Sequence, residues 1–263
     1  MEYGFLKSLE ALHKFYKDDL ILCWEGKRNF RYKIDPEYKI SRRKGREKDA
    51  HKYLTMSRVD DFKNLLSMVA KNAYDVELEG DDVIASLAEK YCKTEKVIIY
   101  SNDKDLLQLV RGKPHPVHQI KKFRFRRNPW TAWRIAESYH GLRPNQLPVY
   151  FAFVGDKFDD IPGAQIRSSL VAAAIIDGLP PENLFEFELF SGGEVIKLEE
   201  HLSSGRFQMN LDLVTLRVKD VEIKEKNWNR TKIGNWLEEM DISSLGLCKE
   251  CGISGKVREE DEF

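Results

Sequence analysis

The sequence predicts an α/β protein whose first half contains a parallel sheet and whose second half is mostly helical. Short apolar, partly β-branched runs alternate with amphipathic helical segments up to about residue 127, and strand signals become rare beyond residue 128. Strands that alternate with helices are typical of parallel sheets, because a helix provides the crossover between parallel neighbours. We therefore place a soft domain boundary near residue 127.

In the first half, helical spacing of apolar residues predicts helices and short apolar runs predict strands. The predicted helices are 5–17, 57–73, which Ser57 could cap, and 81–93. The predicted strands are 20–24 (LILCW), 74–78 (YDVEL) and 96–101 (KVIIYS). Residues 27–50 are basic and show little apolar periodicity, so we expect a mobile or extended excursion there.

The second half is divided into a helical region, residues 128–245, and a polar tail, residues 246–263. Turns that contain proline or glycine separate the apolar segments of the helical region. The predicted helices are 130–140 (WTAWRIAESYH), 146–154 (QLPVYFAFV), 168–176 (SSLVAAAII) and 232–240 (KIGNWLEEM).

Charge is segregated along the chain although the net charge is zero. Basic residues concentrate in 27–48 and 121–127, and acidic residues concentrate in 75–82, in 156–160 and at the end of the chain. A zero net charge argues at first against a nucleic-acid partner, but separate basic and acidic surfaces restore that option. No apolar run approaches the roughly 18 residues of a membrane span, and the N-terminus lacks the features of a secretory signal. We expect an intracellular protein, cytoplasmic in a bacterium or in a virus-infected host cell.

Acidic residues follow two predicted strands and open the helix that lies between them. Ligands of an open parallel sheet bind beyond the carboxyl ends of its strands, so these carboxylates are expected to converge. Such a cluster is stable only when cations neutralise it, and oxygen ligands suit Mg²⁺ or Mn²⁺. The residues are Glu25, Glu79, Asp81, Asp82, Asp103 and Asp105.

Each acidic motif also has an ordinary structural interpretation. Asp81 and Asp82 could interact with the helix dipole, and Asp103 could cap a helix that begins near Leu106. The run 155–163 (GDKFDDIPG), which contains Asp156 and Asp159, could be a simple turn between helices. The three motifs together, in this order, favour a metal site.

The three motifs resemble those of the 5′-nuclease superfamily, which includes flap endonucleases, the 5′-nuclease part of bacterial DNA polymerase I and bacteriophage RNase H. The matching signatures are Glu79-x-Asp81-Asp82, Ser101-x-Asp103-x-Asp105, the run 155–163, and the basic segment with Phe30-Arg31 and Pro36-Glu37-Tyr38-Lys39-x-x-Arg42. The resemblance spans about residues 5–170. It implies a PIN-like α/β nuclease core, with 27–50 as a basic arch segment, followed by a helix-three-turn-helix module that grips duplex DNA.

The resemblance also implies the chemistry and the role of each residue. It describes a structure-selective 5′-nuclease, acting as a 5′-3′ exonuclease, flap endonuclease or RNase H-like enzyme in replication or repair. Its DNA substrate would be a flap, nicked or RNA-primed duplex, and the acidic tail could contact replication proteins. A two-metal site with Mg²⁺ or Mn²⁺ would activate water. Inner ligands would be Glu79, Asp81 and Asp103, with Glu25, Asp82, Asp105, Asp156 and Asp159 as further or water-mediated ligands. Lys39 and Arg42 would contact the phosphate, and Arg31 and Tyr38 would orient the nucleic acid or stack on it.

One departure from the family pattern leaves an alternative open. Members of the family begin with a strand that ends in a metal-binding aspartate, whereas this sequence starts at a segment resembling the family's next element. The strand is truncated, or another polypeptide supplies it, or the protein works with fewer carboxylates. The alternative is therefore a catalytically weak or silent nuclease-derived protein that binds branched or gapped DNA. The acidic cluster favours the enzyme, and the absent strand favours the alternative.

Two weaker interpretations concern the class of nuclease and the cysteines. A PIN-type ribonuclease acting on single-stranded RNA is disfavoured by the 155–163 run, because the duplex-gripping module is not expected in small PIN toxins. Cys248 and Cys251 could form half of a zinc site, but the sequence contains no second CxxC pair to complete it.

Overall fold

The protein, seen in a computed structural model, is described for residues 2–16, 20–47, 61–120, 129–239, 245–248 and 252–255. It forms two compact units, each assembled from separate stretches of chain. Unit 1 comprises Met1–Trp24, Lys48–Asp75 and Val221–Phe263, and unit 2 comprises Glu25–Glu47 and Val76–Asp220. The boundary near residue 127, the helical region and the tail remain predictions.

The helices and strands confirm the mixed α/β fold class and the helical character of the second half. The helices are α1 (Glu2–Tyr16), α2 (Arg31–Ile34), α3 (Ile40–Glu47), α4 (61–69), α5 (Gly80–Tyr91), α6 (Ala132–Ser138), α7 (Leu147–Val154), α8 (Ser168–Ile176), α9 (Gly192–Ser203), α10 (Arg206–Val214) and α11 (Arg230–Glu239). The strands are β1 (Ile21–Trp24), β2 (Lys71–Tyr74), β3 (Val97–Tyr100), β4 (Val117–Ile120), β5 (Ile223–Lys224), β6 (Leu245–Cys248) and β7 (Gly252–Gly255). Within the described ranges, no helix has both the length and the apolar character that a membrane crossing requires.

Unit 1 contains the parallel pair β1–β2, with β5 antiparallel to β2. Leucines of α1 and α4 pack with α11 around this sheet, and Leu6, Leu66 and Ile233 are fully buried. The predicted strand 74–78 is wrong except at its first residue, since the ladder that pairs with β1 runs from Lys71 to Tyr74. Burial decides this register, because Ala73 of the ladder is fully buried.

Unit 2 contains the parallel pair β3–β4, which carries α5 on one face. Alanines of α5 lie in one buried cluster with Ile99 of β3 and Val117 of β4. A larger core joins α7, α8 and α10, with Phe153, Val171 and Leu213 buried. This core supports the turn between α7 and α8.

The basic segment is helical over much of its described length, so the expectation of an extended excursion is wrong for residues 31–47. The segment forms α2 and α3, and Phe30 and Tyr38 are buried. Its anchors are single buried side chains rather than a periodic apolar stripe, which is why hydrophobic periodicity did not indicate helix. Residues 48–50 lie outside the described part.

Several predicted features lie outside the described residues. They are the proposed cap Ser57, the basic run 121–127, Cys251 of the possible zinc pair, and the acidic residues that close the chain.

Candidate active site

A closed turn between α7 and α8 presents two of the predicted aspartates. Asp156 and Ile161 exchange both backbone hydrogen bonds, each at 2.8 Å. Gly155 has φ of +78°, and a Cβ atom on Gly163 would lie 2.0 Å from the carbonyl oxygen of Val154. Only glycine fits such a close backbone approach. The turn, residues 155–163, therefore has one geometry, and it fixes the positions of Asp156 and Asp159.

Three carboxylates meet at this turn. Asp105, Asp156 and Asp159 each place an oxygen within 4.8 Å of the others. Asp105 opens the 3₁₀ turn Asp105–Leu109 that follows β3. Burial, and next the charge of Asp103, raise the pKa of Asp105 to about 7. Burial also raises the pKa of Asp159, although Lys39 and Arg42 partly offset it.

Asp81 and Asp103 extend the carboxylate cluster from neighbouring elements. Burial, followed by the charges of Asp103, Glu79 and Asp105, raises the pKa of Asp81 to about 8. Asp103 is exposed, and its Oδ1 accepts a hydrogen bond from the backbone N–H of Asp105 at 3.0 Å. Gln119 of β4 fixes the same loop, since its Nε2 donates to the carbonyl oxygens of Ser101 and Asp103.

Glu79 lies immediately before α5 and is surrounded by donors. Its Oε1 accepts from Asn29 Nδ2 at 2.6 Å and from Lys39 Nζ at 2.7 Å. Its Oε2 accepts from the Tyr38 hydroxyl at 3.2 Å and lies 3.5 Å from Arg31 Nη1. The basic segment thus reaches the acidic cluster directly.

Asp82 is committed to a structural ion pair, which corrects its prediction as a metal ligand. Both of its oxygens accept from the Arg31 guanidinium, at 2.5 and 2.9 Å. They also accept from the backbone N–H groups of Glu79 and Arg217, at 3.0 and 2.9 Å. A carboxylate has about four lone-pair sites, and all are used here. Asp82 is fully buried and has no oxygen left for a cation.

Arg31 is correspondingly buried, which corrects its prediction as a nucleic-acid contact. Only 2% of its surface is exposed, and its Nε donates to the carbonyl oxygen of Leu213 at 2.7 Å. Tyr38 is equally buried, and its hydroxyl faces Glu79 and Asp159. Burial and these carboxylates raise the pKa of Tyr38. Neither side chain is placed to stack on a strand of DNA.

Three basic side chains face the carboxylate cluster. Lys39 Nζ lies 3.6 Å from Asp159 Oδ2, and Arg42 Nη1 lies 3.1 Å from Asp159 Oδ1. Lys104 Nζ lies 2.9 Å from Asp156 Oδ2. Burial lowers the pKa of Lys39, but Glu79 and Asp159 more than compensate, so the net shift is upward.

The structure therefore brings together six predicted metal ligands and both predicted phosphate contacts, Lys39 and Arg42. The six ligands are Glu79, Asp81, Asp103, Asp105, Asp156 and Asp159. Glu25 follows β1 and is exposed, outside the three-aspartate group. Sequence reasoning missed Lys104, although its position between Asp103 and Asp105 was a signal for a counter-charge. It also missed Gln119, for which the sequence holds no local signal.

The composition of the cluster fits divalent cations. All six side chains offer carboxylate oxygens, the ligands that Mg²⁺ and Mn²⁺ prefer. Burial and mutual repulsion raise the pKa values of Asp81 and Asp105, and the nearby lysines Lys39 and Lys104 only partly offset them. A bound cation would compensate the remaining negative charge.

Divalent cations are expected to raise the thermal unfolding midpoint more at pH 8 than at pH 6. With pKa values near 8 and 7, Asp81 and Asp105 are largely protonated at pH 6, and a cation must displace those protons. Without cations the dependence has the opposite sign. Both folded-state pKa values exceed the ordinary 3.8, so stability falls as pH rises from about 4 to 8. Thermal unfolding at both pH values, with and without Mg²⁺, measures this, and equal Mg²⁺-induced shifts would contradict it.

Comparison with known proteins identifies related chains for this sequence. The model of the family described as "5′-3′ exonuclease, N-terminal resolvase-like domain" matches residues 1–139. The 5′-3′ exonuclease of Aquifex aeolicus is 31% identical over 252 residues, which cover 92% of this chain and 82% of that protein. The thermostable DNA polymerase I of Thermus aquaticus is 33% identical over 92% of this chain but only 28% of the polymerase. The chain spans about half of the Buchnera aphidicola 5′-3′ exonucleases, 54% in each case.

Solved structures share the fold. Bacteriophage T5 5′-exonuclease with bound zinc has a TM-score of 0.67 at 21% identity, over 82% of this chain and 81% of that one. The T5 flap endonuclease in a pseudo-enzyme-product complex with DNA and metal ions has a TM-score of 0.67 at 21% identity, over 82% and 80%. At this identity the likeness establishes the PIN-like fold.

Proposed function

Since the chain belongs to the 5′-3′ exonuclease family, we propose that its carboxylates bind two divalent cations, Mg²⁺ or Mn²⁺, beside a scissile phosphate held by Lys39 and Arg42. The chain is a structure-specific 5′-nuclease, a hydrolase that uses divalent metal to cut phosphodiester bonds in DNA. The observation that carries the two-cation proposal is the meeting of Asp105, Asp156 and Asp159 within 4.8 Å, next to the acidic start of α5.

The carboxylates divide naturally into two groups around the site. Asp105, Asp156 and Asp159 surround one position. Glu79, Asp81 and Asp103 would surround the other, because the charges of Glu79 and Asp103 both act on Asp81 and because Glu79 would regain an acceptor site when Lys39 moves to the phosphate. Asp105 lies near both groups, because it responds to Asp103 as well as to Asp159 and Asp156. Glu25 would act through water. Asp82 is left out of both groups because the Arg31 guanidinium occupies its two oxygens.

The cations and the basic side chains have separate tasks. When bound, divalent cations in a two-metal site supply an activated water and stabilise the attacking and leaving oxygens. Lys39 and Arg42 lie at the rim of the cluster and can transfer from carboxylate to phosphate, where they stabilise developing negative charge. Lys104 stays with Asp156 and orients it. Tyr38 keeps Glu79 and Asp159 in place through its hydroxyl.

The substrate we propose is a flap, nicked or RNA-primed duplex, processed in replication or repair. Relatives that include DNA polymerase I support a replication setting. The α7–turn–α8 unit would act as the helix-three-turn-helix module, because its turn carries Asp156 and Asp159 and would couple the grip on a duplex to the cutting site. Replication proteins would be its partners in the cell.

The function is tested by cleavage of a 5′-labelled flap DNA and of an RNA-primed duplex with Mg²⁺ or Mn²⁺. We expect metal-dependent cutting near the junction, and we expect Lys39→Ala to slow it by roughly 10²- to 10³-fold, the loss typical of one preorganised donor. The matched control is Lys90→Ala, an exposed lysine in the last turn of α5, which should stay near the wild-type rate. Tight DNA binding without cutting by the wild-type chain, or normal cutting by Lys39→Ala, would contradict the proposal.

A further inference from the structure

We propose that Asp160, acting with Ser41, is a positioning residue that docks helix α3 on the 155–163 turn and so holds Lys39 and Arg42 in register with the carboxylates. This inference rests on the proposed role of Lys39 and Arg42 as the phosphate contacts. It adds a requirement that this role does not contain: Lys39 and Arg42 are effective only while helix α3 is fastened to the 155–163 turn.

Two hydrogen bonds to the Asp160 side chain and one backbone bond form the junction. The backbone N–H of Ser41 donates to Asp160 Oδ2 at 2.9 Å, and the Ser41 hydroxyl donates to Asp160 Oδ1 at 2.6 Å. The backbone N–H of Lys39 donates to the carbonyl oxygen of Asp159 at 2.9 Å. Three bonds therefore join positions 39–41 to positions 159–160, which are 119 residues apart at Ser41 and Asp160.

Helix α3 needs this contact because a lysine occupies the position before its first residue. The carbonyl oxygen of this residue, Lys39, accepts the first helical bond from the Arg43 N–H at 3.0 Å. A lysine side chain has no acceptor, so it cannot satisfy the free N–H groups of the first turn. Asp160 supplies that acceptor from another segment, and its negative charge complements the positive end of the helix dipole.

The backbone on both sides of the junction is held in an uncommon conformation. Lys39 has φ of +54° and Asp160 has φ of +58°, in the left-handed region. Residues other than glycine adopt this region at a cost, and they keep it where surrounding contacts determine it. The bonds from Ser41 to Asp160 and from Lys39 to Asp159 are the contacts that hold it here.

The junction fixes the positions of Lys39 and Arg42 because both lie within two residues of Ser41. Lys39 lies two residues before Ser41 and Arg42 lies one residue after it. Lys39 Nζ is 2.7 Å from Glu79 Oε1, and Arg42 Nη1 is 3.1 Å from Asp159 Oδ1. A shift of the first turn of α3 would move the side chains of Lys39 and Arg42 together. Misplacement of a catalytic group by about 1 Å can cost roughly 10²-fold in rate.

The test compares Asp160→Ala, Asp160→Asn and Ser41→Ala in single-turnover cleavage of the 5′-flap DNA. Asp160→Ala should lower the maximal rate by roughly 10- to 100-fold. The concentration that gives half of the maximal rate and the Mg²⁺ dependence should stay within about threefold of wild type, because the Asp160 side chain bonds to Ser41 and not to the carboxylate cluster. Asp160→Asn keeps one acceptor oxygen and should recover most of the rate. Ser41→Ala keeps the backbone bond and should fall between them.

A Lys39→Ala/Arg42→Ala background separates this inference from the proposed function. If Asp160 acts through these cations, adding Asp160→Ala to that background should cause no further loss. A further loss there, or a changed Mg²⁺ dependence, would mean that Asp160 acts on the metal-binding turn itself and would overturn the inference. A normal rate for Asp160→Ala beside a slow Lys39→Ala would also overturn it.

A normal rate for the Lys39→Ala/Arg42→Ala background would instead refute the proposed function. Thermal unfolding of every variant checks the fold, and Ser41→Ala, which removes one bond of the junction, replaces Asp160→Ala if that variant does not fold; a normal rate for it would then overturn the inference.

Discussion

Replacing Asp105 with asparagine is expected to reduce metal-dependent cleavage by at least roughly 10³-fold, because it removes a charge that serves both carboxylate groups. Asp105 belongs to the three-aspartate cluster and also responds to Asp103. Loss of about 4 kcal/mol of transition-state stabilisation corresponds to this factor. The side chain is nearly the same size, so the folded state should persist. Single-turnover cleavage of the flap DNA at saturating Mg²⁺ measures the effect.

The matched control for this substitution is Asp177→Asn. Asp177 is exposed at the end of α8, in the same unit but outside the three-aspartate cluster, and its replacement should leave the rate within about twofold of wild type. An activity above one tenth of wild type for Asp105→Asn would show that the cluster around Asp105 is not the catalytic centre. Raising the concentration of Mn²⁺ should rescue Asp105→Asn only in part, since the amide oxygen is a weaker ligand than the carboxylate.

Replacing Arg31 with methionine is expected to lower the free energy of unfolding by about 3–5 kcal/mol, the cost of removing one partner from a buried ion pair. Asp82 would remain fully buried with its charge uncompensated, and the carbonyl oxygen of Leu213 would lose its donor. Urea unfolding at pH 7 measures the loss. The effect should appear in stability, and activity should fall as well because Arg31 Nη1 lies 3.5 Å from Glu79 Oε2 in the carboxylate cluster.

Two further variants give this prediction its controls. Lys33→Met makes the same kind of change on the same helix α2 at an exposed position and should stay within about 0.5 kcal/mol of wild type. Arg31→Met combined with Asp82→Asn should be more stable than Arg31→Met alone, because the second change removes the unpaired charge. A cost of less than about 1 kcal/mol for Arg31→Met is typical of an ordinary substitution. That result would show that the buried ion pair of Arg31 and Asp82 does not stabilise unit 2.

Helices and strands could be predicted where the buried residues are also the apolar residues of a regular local pattern. Strands β1 and β3 are short apolar runs, and they appeared where the sequence indicated. Strand β2 did not appear at its predicted position. Asn72 and Ala73 are buried because they pair with β1, and a polar residue such as Asn72 gives no apolar signal in the sequence. Helix α3 was missed for a related reason, since its first turn is stabilised by Asp160 from a distant segment.

The site was predictable as a set of acids but not as a set of partners. Motif order correctly indicated that Asp105, Asp156 and Asp159 would meet. The resemblance placed Asp81 among the inner ligands and Asp82 among the further ones, but it could not show that Asp82 is fully paired. The two residues are adjacent in sequence and face different surroundings on the first turn of α5. The difference arises from Arg31, 51 residues away from Asp82, which neutralises one aspartate and leaves the other to its acidic neighbours. Pairing at that separation is decided by packing and leaves no trace in spacing.

The closed geometry of the 155–163 turn determines which of its positions tolerate substitution. Its two glycines and the exchange of hydrogen bonds between Asp156 and Ile161 leave no room for change at the base. Phe158 lies at the open end, and because its side chain is 76% exposed, packing places little restriction on its identity. The turn thus combines a rigid base with a tip that tolerates exchange. Substitutions at Phe158 are therefore expected to leave the positions of Asp156 and Asp159 unchanged, whereas any side chain added at Gly155 or Gly163 is expected to displace both aspartates.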